Sequence, residues 1–354
     1  MNVTAEIAPL LQVIGIAKSF AKPDGQELLV LEGVNLQLIE GQIVGLLGRS
    51  GSGKSTLLRL IAGLAEPSDG ELRYLGAPVD GPAAGIAMVF QSFALFPWLT
   101  VYENVALGLE AQRLPRADIR HRTLAAIDLI GLDGFESAYP RELSGGMRQR
   151  VGFARALVVH PNILLMDEPF SALDVLTAET LRTDFLDLWS EGRMPIKGVL
   201  LVTHNIEEAV LMCDRVLVFA SHPGHVVSEI EVKLPQPRDR LDPQFRELVE
   251  RIYVAMTARV PDAPAETRTE YFPGQGIGSV LPHVSSNELS GLLEAVAAAP
   301  FNGVADLPQI AASLKMEIDE LFPVAETLQL LRFAELEGGD LKLTEAGRDF
   351  CNAG

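Results

Sequence analysis

Two stretches of this sequence combine glycines with hydroxyl side chains in a way that suits phosphate binding. They are GRSGSGKST at residues 48–56 and LSGGMRQR at residues 143–150. In both, small residues stand at the start of a predicted helix, where backbone N–H groups converge and the helix dipole favours an anion. The second stretch lacks the lysine and the metal ligand of the first. It therefore suits the capping of a phosphate that another loop already holds.

The first loop fits the pattern G-x-x-x-x-G-K-[ST] from Gly48 to Ser55. Gly51 and Gly53 let the backbone curl so that its N–H groups point at a β-phosphate. Lys54 reaches the β- and γ-phosphates, and the Ser55 hydroxyl ligates Mg²⁺. An apolar run before the loop and a helical pattern after it supply the expected strand-loop-helix context. The loop predicts binding of a nucleoside triphosphate with Mg²⁺, and an incidental glycine-rich turn is the alternative.

Two adjacent carboxylates follow a short apolar run in ILLMDEP, residues 163–169. Asp167 at the strand end is able to hold Mg²⁺ through its water shell, and Glu168 to polarise a water towards the γ-phosphate. An isolated Asp-Glu pair in this position is more often simply solvated. The phosphate loop and the Ser-Gly-Gly stretch in the same chain favour the catalytic interpretation.

Strand and helix signals alternate over residues 11–256, which are predicted to form one domain. Helical patterns separate short apolar runs that are typical of buried parallel strands. Such alternation predicts an α/β sheet covered on both faces. The clearest of these runs are residues 43–48, 162–169, 198–204 and 214–220.

The composition changes after this domain. Residues 257–284 are rich in Pro and Gly and are predicted to be a linker, with a structured surface crossing as the alternative. Residues 285–354 are predicted to form a small α+β domain of three helices and a hairpin, which resembles a winged helix. Truncation at the C-terminus is left open. The expected landmarks are a capping box at Ser285 and Glu288, a break at Pro323, and a turn at Gly338 and Gly339.

The charge balance argues against nucleic acid and anionic lipid as partners. Lys and Arg number 29 and Asp and Glu number 47, which gives a net charge of −18. Only Cys213 and Cys351 are present, without metal-ligand spacing, so we expect a reducing compartment and no disulfide framework. No signal peptide and no apolar run of membrane-spanning length is expected.

Taken together, residues 11–256 resemble the ATPase subunit of an ATP-binding-cassette (ABC) transporter. Several ordered motifs besides the phosphate loop carry this resemblance. They are Phe20 at the position of an adenine-stacking ring, Gln91 of VFQSF as the Q-loop, residues 143–150 as the signature motif, DEP as the end of Walker B, SALD (171–174) as the D-loop, and His204 of LVTHN as the switch histidine.

Two positions depart from the family pattern. Met147 stands where many members carry Gln, and we expect little effect, because Ser144 and the backbone of Gly145 and Gly146 should make the phosphate contacts. Asn205 stands where Asp is frequent, and the sequence offers no interpretation of it.

The resemblance implies a P-loop NTPase cassette with a helical subdomain that hydrolyses ATP with Mg²⁺. It also implies a homodimer of head-to-tail cassettes, in which the signature motif of one subunit closes over ATP held by the other. The implied site residues are Glu168, His204, Gln91 and Lys54 for catalysis; Ser55, Gln91 and Asp167 for Mg²⁺; and, for ATP, Phe20, Gly48, Arg49, Ser50, Gly51, Ser52, Gly53, Lys54, Ser55 and Thr56, with Ser144, Gly145 and Gly146 on ATP of the partner subunit.

The sequence FPWLT resembles importers of nitrate, sulfonate, taurine and bicarbonate. Phe93, Phe96 and Trp98 gather near Gln91, either as core or as a groove for a helix of a membrane partner. This implies an energising subunit at the cytoplasmic face of the inner membrane. Its partners would be transmembrane permease subunits and, indirectly, an external solute-binding protein.

Two other functions remain as alternatives. A soluble cassette ATPase of the DNA-repair or translation type is disfavoured by the short spacing between the two loops, the absence of a heptad run and the single cassette. A DNA-binding role for residues 285–354 is disfavoured by acidic residues in its candidate recognition helix, so a protein-contact or regulatory role is preferred, with passive stabilisation of the dimer as the alternative. These acidic residues are Glu317, Asp319, Glu320 and Glu326.

Overall fold

The computed structural model divides the chain into two compact units, residues 1–240 and 241–354. Much of the predicted linker and several residues near the C-terminus lie outside the described residues, and the predicted domain boundaries stay predictions. The structure describes residues 8–21, 26–221, 223–257, 286–314, 316, 321, 324–325, 327–329, 331–337 and 340–352.

The first unit contains ten of the described strands and six of the described helices. In chain order, the strands are β1 (Leu11–Ala21), β2 (Glu27–Leu38), β3 (Gln42–Gly48), β4 (Asp69–Tyr74), β5 (Ala77–Pro78), β6 (Ile86–Val89), β7 (Ile163–Asp167), β8 (Gly198–Thr203), β9 (Arg215–Ala220) and β10 (His225–Glu231). The helices are α1 (Lys54–Ile61), α2 (Val101–Ala111), α3 (Arg116–Leu129), α4 (Gly145–Leu157), α5 (Val175–Ser190) and α6 (Ile206–Met212).

The central sheet has the strand order β10-β9-β3-β8-β7-β6. Strands β9, β3, β8, β7 and β6 run parallel to one another, and β10 is antiparallel to β9. Every residue of β7 and β8 is buried, as expected for parallel strands covered on both faces. The carboxyl ends of β3, β7 and β8 therefore meet at one edge of the sheet, which confirms the predicted α/β fold.

A second, antiparallel sheet has the order β2-β1-β4-β5. Its longest strands bury apolar residues on one face, among them Leu11, Val13 and Ile16 of β1. These side chains join one apolar cluster with residues of β3 and α1, such as Leu46 and Leu57. The antiparallel sheet is thus packed against the part of the central sheet that leads into the phosphate loop.

Helices α2, α3 and α4 contact one another and form the predicted helical subdomain. A capping box begins α2, in which Thr100 Oγ1 accepts from the backbone N–H of Glu103 and the Glu103 carboxylate accepts from the N–H of Thr100. Asn104, which is fully buried, donates to the carbonyls of Phe96, Leu99 and Thr100. These bonds fix the chain that enters the subdomain.

The second unit combines helices with a three-stranded antiparallel sheet of order β11-β13-β12, which confirms the predicted α+β class. The predicted hairpin is present as β12 paired with β13, with Ala334 opposite Leu343. Strand β11 and helix α10 are not predicted by the sequence pattern. The elements are α7 (Pro243–Thr257), α8 (Ser286–Ala297), β11 (Val304–Asp306), α9 (Leu307–Leu314), β12 (Ala334–Glu337), β13 (Asp340–Leu343) and α10 (Glu345–Asn352).

Several predicted landmarks of this unit lie outside the described residues or their described side chains, namely Ser285, Glu288, Glu317, Asp319, Glu320, Pro323, Glu326, Gly338 and Gly339. Across the described parts of both units, no helix combines the length and the apolar content needed to cross a lipid bilayer.

Candidate functional site

The loop between β3 and α1 has the backbone shape that its glycines predict. Gly51 and Gly53 have φ angles of 76° and 89°, a region that disfavours residues with a Cβ. A Cβ on Gly48 would lie 2.7 Å from the carbonyl oxygen of Phe219. Glycine is therefore required at these three positions for different reasons, two for the turn of the backbone and one for the close approach of β9.

Lys54 begins α1 and points its amine back into the loop. Its Nζ donates to the carbonyls of Gly48 and Arg49 at 2.6 and 2.8 Å and to Ser52 Oγ at 3.3 Å. The side chain is 4% exposed. Burial lowers the pKa of Lys54 to about 8, although the charge of Glu168 opposes this shift. A phosphate anion at this position would supply the negative charge that favours the protonated amine.

Ser55 and Asp167 meet across the sheet edge. The Ser55 hydroxyl donates to Asp167 Oδ1 at 2.8 Å. Burial raises the pKa of Asp167, and the hydrogen bond from Ser55 opposes this shift. A hydroxyl and a carboxylate held side by side next to a phosphate loop are the oxygen donors that Mg²⁺ prefers. Ser55 and Asp167 are therefore the residues that would hold a metal ion beside the phosphate loop.

Glu168 has a strained backbone, and two other side chains contact its carboxylate. Its φ of 46° is unusual for a residue other than glycine, and its N–H donates to the carbonyl of Val202 on β8. Its Oε2 lies 3.2 Å from Gln91 Nε2 and 3.1 Å from His204 Nδ1. Strand β8 thus holds the backbone while Gln91 and His204 converge on the carboxylate.

The pKa values of Glu168 and His204 shift in opposite directions. Burial by itself raises the pKa of Glu168, but the hydrogen bond and charge of His204, with the charge of Lys54, outweigh it and the pKa is lowered. The hydrogen bond with Glu168 raises the pKa of His204, against burial. The pairing therefore favours a carboxylate beside an imidazolium.

Ser171 is a contact that the sequence analysis missed. Its hydroxyl accepts from Gln91 Nε2 at 3.2 Å and donates to the carbonyl of Glu168 at 3.0 Å. Ser171 is the first residue of the SALD stretch, which was identified as a motif without a role for its serine. It connects the Gln91 side chain to the backbone of Glu168.

Phe20 lies near the end of β1, with an exposed ring. The Lys18 ammonium stands 5.1 Å from the ring centroid. An exposed aromatic face beside a cation is chemically suited to stacking on a purine ring.

Ser144, Gly145 and Gly146 are arranged for a different contact. Ser144 is exposed and caps α4, since its Oγ accepts from the N–H of Met147 at 3.2 Å. A Cβ on Gly146 would lie only 2.4 Å from Thr177 Cγ2 of α5. A Cβ on Gly145 would lie 3.4 Å from Leu173 Cδ2, so the two glycines pack against α5 and the residues just before it.

The structure also shows what Met147, Asp174 and Asn205 do at the N-termini of their helices. The backbone N–H of Met147, rather than its side chain, bonds to Ser144, so replacement of Gln there leaves the cap intact. Asp174 caps α5 by accepting from the N–H of Thr177, which lowers its pKa. Asn205 caps α6 by accepting from the N–H of Glu208. An uncharged amide performs this capping as well as a carboxylate.

The structure thus places all six predicted catalytic and metal-binding residues in hydrogen-bonded groups, and none of these bonds involves Phe20 or the Ser-Gly-Gly stretch. In the first group, Lys54 bonds to the phosphate loop and Ser55 bonds to Asp167. In the second group, the hydrogen bonds join Gln91, Glu168, Ser171 and His204.

Two family models match this chain. One described as ABC transporter matches residues 31–171, and one described as C-terminal AAA-associated domain matches residues 308–354. The nitrate import ATP-binding protein NrtD of Synechocystis sp. is 43% identical over 225 residues, which are 64% of this chain and 83% of that protein. The taurine import ATP-binding protein TauB of Burkholderia pseudomallei is 46% identical over 230 residues, 62% of this chain and 87% of that protein.

A solved structure supports the same similarity. It is a dimeric ATP-binding cassette in a post-hydrolysis state, bound to ADP and phosphate. It aligns with a TM-score of 0.56 and 32% identity, and the match covers 64% of this chain and 100% of that chain.

Proposed function

Because this chain belongs to the family of ABC transporter ATP-binding proteins, we propose that it hydrolyses ATP to drive uptake of a small anion through a separate permease. The observation that carries this proposal is the convergence of Gln91 and His204 on the Glu168 carboxylate, next to a phosphate loop. Fold and relatives support an ATPase, and the site residues receive the following roles.

The phosphate loop binds ATP. Lys54 exchanges its bonds to loop carbonyls for bonds to the β- and γ-phosphates, and backbone N–H groups of the loop would donate to the same phosphates. Phe20 stacks on the adenine ring. The buried position of the amine supports this role, because a charge in low dielectric interacts strongly with phosphate.

Mg²⁺ is the second ligand of the proposal. Ser55 and Asp167 would hold it, Asp167 through a bound water, and Gln91 would complete the set. When bound, the metal would neutralise negative charge on the phosphates. The 2.8 Å contact between the hydroxyl and the carboxylate supports the pairing.

Glu168 acts on the attacking water. Its carboxylate accepts the water's proton as the water oxygen bonds to the γ-phosphorus, and the bond to the bridging oxygen breaks so that ADP leaves. Gln91 and His204 hold the carboxylate in place. The lowered pKa of Glu168 keeps it ionised at neutral pH. The left-handed backbone at Glu168 is the kind of strain found at functional sites.

A second copy of the chain completes each site. Ser144, Gly145 and Gly146 bind the γ-phosphate of ATP held by the partner subunit, since the N-terminus of α4 offers N–H groups and a favourable dipole. The exposure of Ser144 supports this role. The match to a dimeric cassette supports a head-to-tail homodimer.

A membrane permease is the partner that turns hydrolysis into transport. Phe96 and Trp98 form an exposed aromatic pair, with ring centroids 5.5 Å apart, a few residues after Gln91. Such a pair suits a helix of a permease subunit. The protein would then lie at the cytoplasmic face of the inner membrane and serve an external solute-binding protein indirectly.

The relatives named for nitrate and taurine import support a small anion as solute, with sulfonate and bicarbonate in the same proposed group. They give no support to a soluble cassette ATPase of the DNA-repair or translation type. We further propose that residues 11–256 form the ATPase domain, 257–284 a linker and 285–354 an accessory domain with a regulatory or dimer-stabilising role.

Purification from membranes tests this proposal. The tagged full-length chain should co-purify with a permease that has several membrane-spanning helices, and cells should take up labelled nitrate or taurine in a manner that Lys54→Ala abolishes. The matched control is Lys233→Ala, which alters an exposed lysine on the chain after β10. Hydrolysis by a chain that instead purifies with ribosomes or DNA would contradict the importer assignment.

A further inference from the structure

The segment that follows Gln91 contains two consecutive residues in left-handed backbone conformation. Phe93 has a φ of 61° and Ala94 a φ of 47°. Neither residue is glycine, so both conformations are strained and persist only where the surroundings hold them. We call residues 93 and 94 the strained turn.

Arg155 of α4 holds the strained turn by its backbone. Its Nη1 donates to the carbonyl of Ala94 at 2.5 Å, and its Nη2 donates to the carbonyl of Phe93 at 3.0 Å. The planar guanidinium donates to the two carbonyls from two nitrogens held in a rigid fork, a geometry that the single nitrogen of a lysine ammonium does not reproduce. Arg148, on the same helix, places its guanidinium carbon 5.5 Å from the Phe93 ring centroid. Arg148 and Arg155 of α4 therefore both contact the strained turn.

The strained turn connects Gln91, on the side of the catalytic carboxylate, with α4, the helix that begins at the signature motif. Gln91, two residues before it, contacts Glu168 and Ser171. On the other side of the strained turn, α4 carries Arg155 near its end and begins at the Ser144 cap. Because a helix moves as a rigid element, a shift of α4 at its N-terminus also moves the carbonyls held by Arg155.

We propose that Arg155 is a positioning residue for ATP hydrolysis, which ties the helix of the signature motif to Gln91 through the strained turn. The inference rests on the proposed function, since it needs Gln91 to act on Glu168. Loss of the guanidinium fork lets the turn relax, and Gln91 leaves its place beside the carboxylate. The phosphate loop is unchanged, so ATP binding persists while the chemical step slows.

Arg122 provides a matched control. It lies on α3 of the same helical subdomain, and its Nη2 donates to the carbonyl of Val158 at 2.8 Å, at the end of α4. Arg122→Lys removes an arginine–carbonyl contact of the same kind, without touching the strained turn. A general loosening of the subdomain would affect both arginine variants alike.

The first test is a double-mutant cycle on the full-length dimer, with kcat and KM for ATP measured for Arg155→Lys, Gln91→Ala and the double variant. Arg155→Lys should lower kcat about tenfold and change KM by less than about twofold. In the Gln91→Ala background it should have no further effect, because the residue through which it acts is gone. Arg122→Lys should stay within about twofold of the parent. Multiplicative effects of the two substitutions, or equal losses in both arginine variants, would overturn the inference.

A suppressor provides the second test. Ala94→Gly removes the steric penalty of the left-handed backbone, so it should restore part of the kcat that Arg155→Lys loses. Absence of any recovery, in a double variant that unfolds at the parental temperature, would also overturn the inference. Failure of the proposed function has a different signature. In that case Glu168→Gln would hydrolyse ATP at the parental rate, whatever the arginine variants do.

Discussion

The carboxylate of Glu168 and the imidazole of His204 form a hydrogen-bonded pair, with 3.1 Å between Oε2 and Nδ1. The two residues follow the neighbouring parallel strands β7 and β8, so the sheet itself sets their separation. Each favours the charged form of the other, because the pKa of Glu168 is lowered and that of His204 is raised. The pair therefore links the protonation of the site to the stability of the fold.

This linkage predicts a pH window for stability. The raised pKa of His204 gives a contribution that is complete below its ordinary value of 6.5 and is lost as pH rises through the folded value. The lowered pKa of Glu168 gives a contribution that is complete above 4.5 and is lost as pH falls through the folded value. The free energy of unfolding of the parent should exceed that of His204→Ala most between these two values, by up to about 1 kcal/mol, because the His204 side chain is half-exposed to solvent.

Urea unfolding at a series of pH values measures this difference directly. His225→Ala is a suitable control, since its ring contacts the carbonyl of Pro223 rather than a carboxylate. A difference between parent and His204→Ala that grew from pH 6.5 to pH 9 would contradict the pairing.

Glu168→Gln should separate binding from hydrolysis. The amide keeps the size of the side chain but accepts no proton, so kcat should fall by at least about 100-fold. ATP binding should persist, because Lys54 and the loop are unchanged. Phosphate release and a fluorescent nucleotide titration measure the two properties. Glu191→Gln, at an exposed position, should behave as the parent, and a parental rate for Glu168→Gln would remove Glu168 from its proposed role.

Lys54→Ala should remove most ATP binding. The amine is buried among the carbonyls of Gly48 and Arg49, and alanine supplies neither the charge nor the reach to the phosphates. Equilibrium binding of a fluorescent ATP analogue measures the loss, which we expect to be about 100-fold or more for a buried charge-assisted contact. Near-parental affinity in a folded variant would show that this loop is not the principal nucleotide site.

Gln149 offers a prediction about stability alone. It is fully buried on α4, and among the described residues neither its Oε1 nor its Nε2 has a hydrogen-bond partner. A buried amide without a partner costs free energy, so Gln149→Met should raise the free energy of unfolding by about 1 kcal/mol. Thermal and urea unfolding measure it, with the exposed Gln112→Met as control. A loss of stability would show that the Gln149 amide is satisfied.

Local patterns account for the parts of the site that the sequence predicted. The phosphate loop is recognisable because glycines, lysine and serine act within nine consecutive residues. The approach of Asp167 to Ser55 follows from parallel pairing, since β8 joins β3 to β7. The sequence pattern predicts a buried apolar strand that ends in a polar residue. It also predicts that the ends of such parallel strands meet at one edge of the sheet.

Tertiary placement accounts for the parts that the sequence did not predict. The hydroxyl of Ser171 became a contact of Gln91 only through the turn after β7. The left-handed backbone of Phe93 and Ala94 depends on Arg155, which is about 60 residues further along the chain. No local signal marks a non-glycine residue that a distant arginine holds in such a conformation. Similarly, the capping role of Asn205 required the position of the α6 N-terminus.

The central claim is that two copies of the chain share each site, and a mixing experiment tests it most directly. Lys54→Ala disables the phosphate loop of one copy, and Ser144→Arg disables the signature motif of the other by placing a bulky side chain at the exposed cap of α4. A dimer of the two variants keeps one intact site, formed by the phosphate loop of the Ser144→Arg copy and the signature motif of the Lys54→Ala copy. Steady-state ATP hydrolysis of the purified mixed dimer should exceed that of either variant alone and approach about half the parental rate if the sites act independently. A mixed dimer that is shown to form, and that hydrolyses ATP no faster than either variant, would contradict the shared site.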